Sequence, residues 1–378
     1  MSLLSRPDVQ AFGMRVAVMA GKHVPLPLPP TTVASLQDVE VIDDDAGPSG
    51  FQLTFNLERT GEKDAADFAQ LRERRLEPLH RVRIIATSGL VQRVLIEGVI
   101  TQLDLDPIAK RLTVTGQDLS VLMDREQRHV SHPQMTPEFI VRTILLKYAM
   151  YGIIAQIAKP RSNRVPLRNL QQHDTDRRYL EGLAQQHGFV FYLAPSDAPG
   201  TTIAYWGPPQ RMAWPQPALK VDLGGLSNLS SITFTTDPTA AAKLVGAIKD
   251  PQSGQTLPIN TARSLRPPLS QDELSASPWA TRQHVFSGET WLEELAKAQA
   301  ETDHAADAVV VARGELDTQR YGSILRAHGT VGVQGAGLRH DGDYYVKRVT
   351  HKITKGQHTQ NFTLTRGGGG ALKPAVVP

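Results

Sequence analysis

Apolar residues recur at every second position over much of the N-terminal third of the chain. In residues 51–57 (FQLTFNL) all four odd positions are apolar and share one face of an extended segment. Because side chains alternate between the two faces of a strand, this pattern predicts half-buried β-strands, spaced as in an antiparallel barrel or sandwich. The predicted strands are 14–19, 35–41, 51–57, 81–87, 92–103 and 111–115.

A helical period replaces the alternation after residue 128. Thr136, Pro137 and Glu138 supply a cap, a first-turn proline and an acid for a helix that ends at Gly152. A second helix is predicted for 175–187. Strands are predicted for 189–193 and 201–206, so this part of the chain reads as an α+β module.

The remaining chain returns to strands after a proline-rich stretch. Residues 228–236 predict a strand that is a candidate for completing the first sheet. Residues 250–278 hold five prolines and predict a long exposed loop. A helix is predicted for 291–304, and the strands that follow it are 308–314, 323–327, 342–350 and 361–365.

The predicted fold class is α+β and predominantly β, with two antiparallel β-barrel domains around an inserted domain. The predicted parts of the chain are the first β region (1–128, with 222–240 as its candidate completion), the insert (129–221), the connector (222–287), the second β region (288–367) and a flexible tail (368–378). Two β regions that flank an insert suggest an ancient duplication.

Composition narrows the class of protein. The chain has 378 residues, 40% apolar and 21% charged, which favours several folded domains over disorder. A net charge of +3 is weak support for nucleic-acid binding. The lack of cysteine excludes disulfides, thiol nucleophiles and cysteine-bound metals. Residues 1–10 lack the apolar core of a leader and no long apolar run occurs, so we expect no direct membrane insertion.

Histidines and acids near the start of the insert are the first candidates for chemistry. His129 and His132 are three residues apart, but no third metal ligand accompanies them in a known spacing. Residues 173–176 (HDTD) could form an acid–base cluster. Their place just before a predicted helix favours Asp174 or Thr175 as a cap instead.

Other motifs also favour structural roles. Residues 332–337 (GVQGAG) miss the order of a dinucleotide loop and lack a following helix, so they indicate turn glycines. Ser287–Gly288 approaches a helix and is not a nucleophile elbow. His304, with Asp303 and Asp307, is expected to be a solvated cluster at a helix end. We therefore assign no catalytic, cofactor-binding or metal-binding residue, and expect no cofactor and no enzyme activity.

Three passages of the chain form a recognisable pattern by their order and spacing. They are 96–101 with 112–122, 176–184 with 188–191, and 342–351 with 362–364. Together they resemble the late control protein D family of contractile phages, and they are also similar to the hub half of the type VI secretion spike protein and to the hubs of extracellular contractile injection systems. The first looks like a strand–turn–strand that closes a first barrel, the second like a helix leading into a Gly-Phe strand, and the third like the last strands of a second barrel.

The resemblance implies a structural function. Each subunit of such a hub contributes two tube-like barrels, so a homotrimer presents six similar units and adapts a three-fold spike to a six-fold tail tube while lining the channel. The chain lacks the spike's own domains, so the resemblance implies a separate spike polypeptide, and the tail that begins at Gly367–Gly370 is expected to reach toward it. Implied partners are the spike, the tail tube or its initiator and other baseplate proteins. Assembly would occur in the bacterial cytoplasm, and the product would be part of a virion tail or injection particle.

Two other functions stay open at the level of sequence. One is a tail-associated peptidoglycan hydrolase that uses an acid pair within 129–220, since two suitably placed carboxylates need leave no local motif. The other is a β protein that binds a host receptor or glycan. Clearing of cell walls would indicate the first, and glycan binding by a monomer the second.

Overall fold

The computed structural model describes residues 9–11, 14–45, 47–57, 74–89, 91–274 and 279–372. The fold is α+β and predominantly β, as the alternation predicts. Its described helices are α1 (Pro30–Ser35), α2 (Pro137–Leu146), α3 (Asp176–Gln186), α4 (Trp291–Asp307) and α5 (Thr318–Tyr321). No helix among the described residues is long and apolar enough to cross a membrane.

Twenty-four strands are described, and fourteen of them belong to one large sheet. Its main path runs β1-β2-β6-β7-β8-β5-β4-β22-β23-β20-β15, and β3, β14 and β21 join at its side. The strands are β1 (Val9–Ala11), β2 (Met14–Gly21), β3 (Leu26–Pro27), β4 (Leu36–Asp44), β5 (Gly50–Asn56), β6 (Arg81–Ser88), β7 (Val91–Asp106), β8 (Arg111–Asp118), β9 (Val130–His132), β10 (Ile153–Ile157), β11 (Leu170–Gln172), β12 (Val190–Pro195), β13 (Thr202–Gly207), β14 (Gln216–Lys220), β15 (Leu229–Thr236), β16 (Ala242–Lys249), β17 (Thr256–Asn260), β18 (Asp272–Glu273), β19 (Ala280–Gln283), β20 (Val310–Asp317), β21 (Thr330–Gln334), β22 (Gly342–Thr354), β23 (Gln357–Arg366) and β24 (Gly368–Gly369).

The first β region encloses its own apolar core. In β5 the alternate residues Phe51, Leu53 and Phe55 are all buried, while the residues between them are not. The same alternation in β4, β6 and β8 directs valine, isoleucine and leucine side chains to the same core. At about 25 cal/mol per Å² of buried apolar surface, this core supplies the main drive for folding of the region.

β22 belongs to two cores at once. Val346 and Val349 lie in the core of the second β region, whereas Ile353, further along the same strand, lies in the core of the first. Along this strand β4 pairs antiparallel with β22 from Asp38–Thr354 to Asp44–Arg348. The two β regions are therefore joined by a continuous strand ladder as well as by apolar packing.

The insert is an α+β unit in which both predicted helices and the predicted strands β12 and β13 form. The first helix, α2, was expected to reach Gly152 but ends at Leu146, and a separate 3₁₀ turn at Ala149–Tyr151 follows it. Thr136 and Thr175 cap α2 and α3, each accepting a hydrogen bond from the backbone N–H three residues on. The two helices pack on the sheet β10-β13-β12, where Trp206 is fully buried and donates from Nε1 to the Leu180 carbonyl at 3.2 Å. The apolar core of the insert also includes Val99 of the first β region.

The strand at 228–236 forms, but the prediction that it completes the first sheet is wrong. As β15 it pairs antiparallel with β20 of the second β region. Its half-buried residues Ile232 and Phe234 pack against the second core, which fixes its place. β14, assigned from sequence to the insert, likewise pairs with β21.

The connector is folded, contrary to the expected long exposed loop. It contains the sheet β17-β16-β19, on which α4 packs through Leu244, Ile248, Ile259 and Ala298. Pro251, Pro267 and Pro268 lie between these short strands, and Pro258 lies in the middle of β17, an edge strand of this sheet, where proline is tolerated. Residues 275–278 of this predicted loop lie outside the described residues.

Residues 323–327 were expected to form a strand and do not. Ile324 and Leu325 are buried, which explains the apolar pattern. The backbone of Leu325 pairs with a side chain: its N–H donates to Gln360 Oε1 at 3.0 Å, and its carbonyl accepts from Gln360 Nε2 at 2.8 Å. This amide replaces the sheet partner that the segment lacks.

The first residues of the expected flexible tail are ordered. Gly368 and Gly369 form β24, which pairs with β18, and both are buried. A Cβ at Gly368 would collide with the Asp272 carbonyl, so this close approach requires glycine. The preceding Arg366 is fully buried and donates to the carbonyls of Asp341 and Arg339 at 2.9 and 2.6 Å. Residues 373–378 lie outside the described residues.

Candidate interaction surface and the buried junction beneath it

A polar surface extends across both β regions on one side of the large sheet. The register places the outward side chains of β8, β5 and β4 next to those of β22, β23, β20 and β15. We call this surface the polar face. Its residues are Arg111, Thr113, Thr115, Gln52, Thr54, Asn56, Asp38, Glu40, Ile42, Asp44, Arg348, Thr350, Lys352, Thr354, Gln357, Thr359, Asn361, Thr363, Arg313, Glu315, Ser231, Thr233 and Thr235.

Both signs of charge are interspersed on the polar face among threonine and amide side chains. Arg348 Nε lies 3.7 Å from Asp44 Oδ2, an ion pair that crosses from β22 to β4. Ile42 is the one large apolar residue of the set. A surface of this kind stays hydrated and offers no apolar patch to which another protein could bind.

Beneath the same strands, residues from the first β region, the insert and the second β region meet. His328 Nε2 lies 2.8 Å from Asp43 Oδ1, and the His328 ring stacks on Tyr192 with centroids 3.6 Å apart at 6°. Ser49 donates from Oγ to the same Asp43 oxygen at 3.3 Å. His328 adopts a φ of +66°, and its backbone N–H donates to the Val346 carbonyl at 2.9 Å, which stabilises this conformation. We call this group the buried junction.

The pKa values of Asp43 and of the neighbouring Asp118 are shifted in opposite directions. Burial acts to raise the pKa of Asp43, but the neighbouring His328 and His351 and the Ser49 hydroxyl bring it below its usual range. Asp118 accepts from the Ser49 and Ser120 N–H groups at 3.0 and 2.8 Å, yet burial raises its pKa to about 6. Asp43 is therefore the carboxylate that stays charged beside His328.

A second histidine pair lies between the two apolar cores. His351 Nδ1 is 3.2 Å from His358 Nε2 and also accepts from Gln360 Nε2 at 3.2 Å. Burial lowers the pKa of His351 to about 4 and, with the neighbouring His351, that of His358 to about 2. Both rings are neutral near pH 7.

The insert is fastened to the first β region by a buried charge cluster. The fully buried carboxylate of Glu97 accepts from Arg81 at 2.6 Å and from Arg83 at 2.9 Å. Arg83 also donates to the carbonyls of Ser196, Asp197 and Ala198, at 2.9 to 3.3 Å. Arg83 thus satisfies the carbonyls of this insert loop, while Arg81 donates to the Tyr151 carbonyl of the insert at 3.2 Å.

The histidines singled out from sequence are separated by the fold. His129 faces His173 across the β9–β11 ladder, with their Nδ1 atoms 3.3 Å apart, whereas His132 stacks on Tyr179. In the part of the chain that the structure describes, no three His, Asp or Glu side chains are grouped to hold a metal ion. Asp174 and Asp176 are not an acid–base pair, since Asp176 is buried and bonded to Tyr148 and Lys147 at 2.8 and 3.1 Å.

The expectation of a solvated cluster around His304 is wrong. Asp303 is buried and accepts from Arg161 Nη1 at 2.9 Å and from the Leu265 N–H at 2.8 Å. Asp307 forms ion pairs with the buried Arg211 and Arg266. These contacts hold α4 to the connector and the insert, and no periodicity of α4 alone reveals the partners, which are distant in sequence.

The serine and glycine motifs have structural roles. Ser287 donates from N and Oγ to the buried Glu294, which also bonds His284 at 2.7 Å. The hydroxyl therefore points to a carboxylate and not to a histidine base, and the group organises the start of α4. Gly335 and Gly337 have φ of +85° and +88° and form turns, as expected for this segment.

One pair of carboxyl groups bears on the hydrolase alternative. Glu289 and Glu293 lie together where α4 meets the insert, and burial together with the neighbouring Glu289 raises the pKa of Glu293. The cavity beside them holds only about 30 Å³. This is room for a water molecule, whereas a glycan substrate needs a cleft.

Comparison with known proteins gives a fold and no sequence relative. No family model and no curated protein matches the chain. The tail protein of Neisseria meningitidis MC58 has a TM-score of 0.60 at 11% identity, and the alignment covers 94% of this chain and 97% of that one. The 43 kDa tail protein of prophage MuSo2 from Shewanella oneidensis has a TM-score of 0.61 at 12% identity, over 94% and 98% of the two chains.

A third similar structure comes from a secretion system. It is an E. coli protein described as a component of the type VI secretion system, with a TM-score of 0.55 at 13% identity, over 91% of this chain and 77% of that one. These identities are low, so the likeness establishes the fold. That fold is the one shared by phage tail proteins and type VI spike-like proteins.

Proposed function

We propose that the protein is the structural hub of a contractile phage tail or of a related injection particle. In this role three copies form a ring that receives a three-fold spike on one side and a six-fold tail tube on the other. The observation that carries the proposal is the β4–β22 ladder, which joins two β regions, each with its own core, side by side in one sheet. Three such chains supply six β regions at one level.

The outer edge of β15, which no described strand covers, supports a closed ring. β15 is the last strand of the main path, and its eight residues contain no proline. A long unpaired edge invites pairing with another chain and is covered in most soluble proteins. Pairing of β15 with the β1 end of a second copy would continue the sheet, and three such contacts would close it.

The polar face is the surface that we assign to the channel. Threonine, amide and mixed charged side chains keep water bound, so a cargo that passes along them is not held by apolar contacts. Because each β region contributes three strands or more to this face, a ring of three chains would present the face three times and six such groups of strands.

The partners follow from this position. They are a spike protein, the tail tube or its initiator, and other baseplate proteins. Assembly takes place in the bacterial cytoplasm and the product is a component of the virion tail or injection particle. The insert and the connector lie on the outside of the two β regions in this arrangement and are available to the baseplate.

The mass of the purified chain in solution tests the proposal. We expect light scattering to give three times 41.4 kDa, either for the chain alone or after mixing with a candidate spike protein. A turbidity assay on purified cell walls, run on the same sample, should show no clearing. A protein that stays monomeric and does not bind the spike, or a sample that clears the cell walls, would contradict the proposed hub function.

A further inference from the structure

A cleft of about 540 Å³ opens where the first β region, the insert and the second β region meet. Arg93 lines it from the first, Tyr192 and Tyr205 from the insert, and Arg326 and His328 from the second. Its volume is in the range of pockets that hold a small ligand or a few peptide side chains. The polar face and the channel assigned to it do not account for this cleft.

The charges in the cleft are unbalanced. Arg326 is exposed and Arg93 half-buried, and neither guanidinium pairs with a carboxylate of the described residues. The one acid among the lining residues is Asp43, which is already bonded to His328. The open side of the cleft therefore carries two positive charges with no counter-ion from the described chain.

A buried nitrogen at the base of the cleft lacks a partner. His328 is 7% exposed, its Nε2 is bonded to Asp43, and its Nδ1 has no hydrogen-bond partner. Because Nε2 donates to the Asp43 carboxylate, Nδ1 of the neutral ring is an acceptor, and the partner that it lacks is an N–H or O–H donor. A backbone N–H of an incoming peptide would supply that donor.

The walls favour a peptide over a bare ion. The rings of Tyr192 and Tyr205 are stacked with centroids 5.0 Å apart, and Val94, Leu95 and Ile203 add apolar surface around them. Such walls bury the methylene groups of a side chain while the arginines bind its carboxylate. A nucleic acid would need a longer row of basic side chains along its phosphates. The chain does not favour such binding, because its net charge is only +3 and acidic side chains are interspersed on the polar face.

From these contacts we infer that the cleft binds an acidic segment of a partner protein, with Arg93 and Arg326 on its carboxylates and the tyrosine pair beneath its side chains. The site is separate from the channel, so it exists whether or not three copies close a ring. Because it is built from three parts of the chain, occupation of the cleft also ties those parts together.

The inference is tested by calorimetric titration of the full-length protein with an N-acetylated, C-amidated hexaglutamate peptide. We expect saturable binding that Arg326→Gln weakens by about tenfold or more, the loss of one charge-assisted contact. Arg93→Gln should act in the same direction. Arg320→Gln removes the same charge from an exposed site outside the cleft lining and should leave the affinity unchanged.

Parallel titrations with inorganic phosphate and with a single-stranded DNA 12-mer separate the possible ligands. Both should bind more weakly than the peptide. If either binds as tightly, or if Arg320→Gln weakens the peptide as much as Arg326→Gln does, the inference is wrong. Circular dichroism of each variant, matched to the parent protein, confirms that the cleft is intact in the samples compared.

Discussion

Acid should destabilise this protein through the histidine pair between its two cores, and His358→Gln should remove part of that effect. Gln360 is held by the Leu325 backbone, so its amide N–H must point to His351 Nδ1. His351 Nδ1 is therefore an acceptor, and His358 Nε2 donates to it. A proton on His351 Nδ1 would face two donors and lose both bonds.

The sign of the effect follows from the pKa values. Both rings have lower pKa values in the folded protein, about 4 and about 2, than the 6.5 of a free histidine. Below pH 6.5 the unfolded chain therefore binds protons at His351 and His358 that the folded chain does not bind. The free energy of unfolding decreases as a result. The loss is about 1.4 kcal/mol per pH unit and ring, or about 3 kcal/mol per ring at pH 4.5.

Two carboxyls act in the opposite sense. Burial raises the pKa values of Asp45 and Asp118 to about 6, so their contribution to stability increases as the pH falls through 6. The difference between His358→Gln and the parent protein cancels this common contribution. Glutamine can still donate to His351 and does not titrate, so the variant should remain folded at pH 7.

Urea unfolding at pH 7 and pH 4.5, followed by tryptophan fluorescence, measures the effect. Relative to the parent protein, His358→Gln should lose about 3 kcal/mol less stability between the two pH values. His129→Gln removes an exposed histidine and should behave as the parent does. An equal loss in His358→Gln and the parent would refute the argument, because the pair would then titrate like exposed rings.

Two further substitutions test the second core and the attachment of the insert. Val346→Asp places a carboxylate in a fully buried position of the second core and should prevent folding and particle assembly. Thr350→Asp, on the polar face of the same strand, should be tolerated. Equal particle yields from the two variants would contradict the assignment of faces. Glu97→Ala leaves the buried Arg83 and the half-buried Arg81 without a carboxylate partner and should cost about 3–5 kcal/mol in urea unfolding, with proteolysis of the insert as the first sign. Glu126→Ala, in an exposed ion pair, should cost less than about 1 kcal/mol.

Local patterns in the sequence were enough for most of the elements. The period-two alternation located β4, β5 and β8, and the Thr-Pro-Glu start located α2, because these signals depend on neighbours in the chain. The wrong predictions share one cause, which is a partner far away in sequence. The strand pairing of β15 and the side-chain partner of Leu325 are both set by tertiary contacts that periodicity does not contain.

The candidate surface was predictable in kind but not in extent. Alternation shows that each strand has a polar side, whereas the continuity of the polar face depends on the register between β4 and β22, about 300 residues apart. The buried junction could not be predicted from the sequence either, because its residues are distant from one another along the chain. Asp43 and His328 are separated by 285 positions, and a lone histidine in a polar loop gives no sign of its partner.

The way in which the two β regions are joined bears on the mechanical demand of the proposed hub. A hub that passes thrust from a contracting tail to a spike must not bend between its units. A flexible linker would bend, but β22 runs without a break from the second core at Val349 to the first core at Ile353, with His351 bonded between them. Bending there would expose both cores and break the ladder to β4, so the joint should move only at a cost close to that of unfolding.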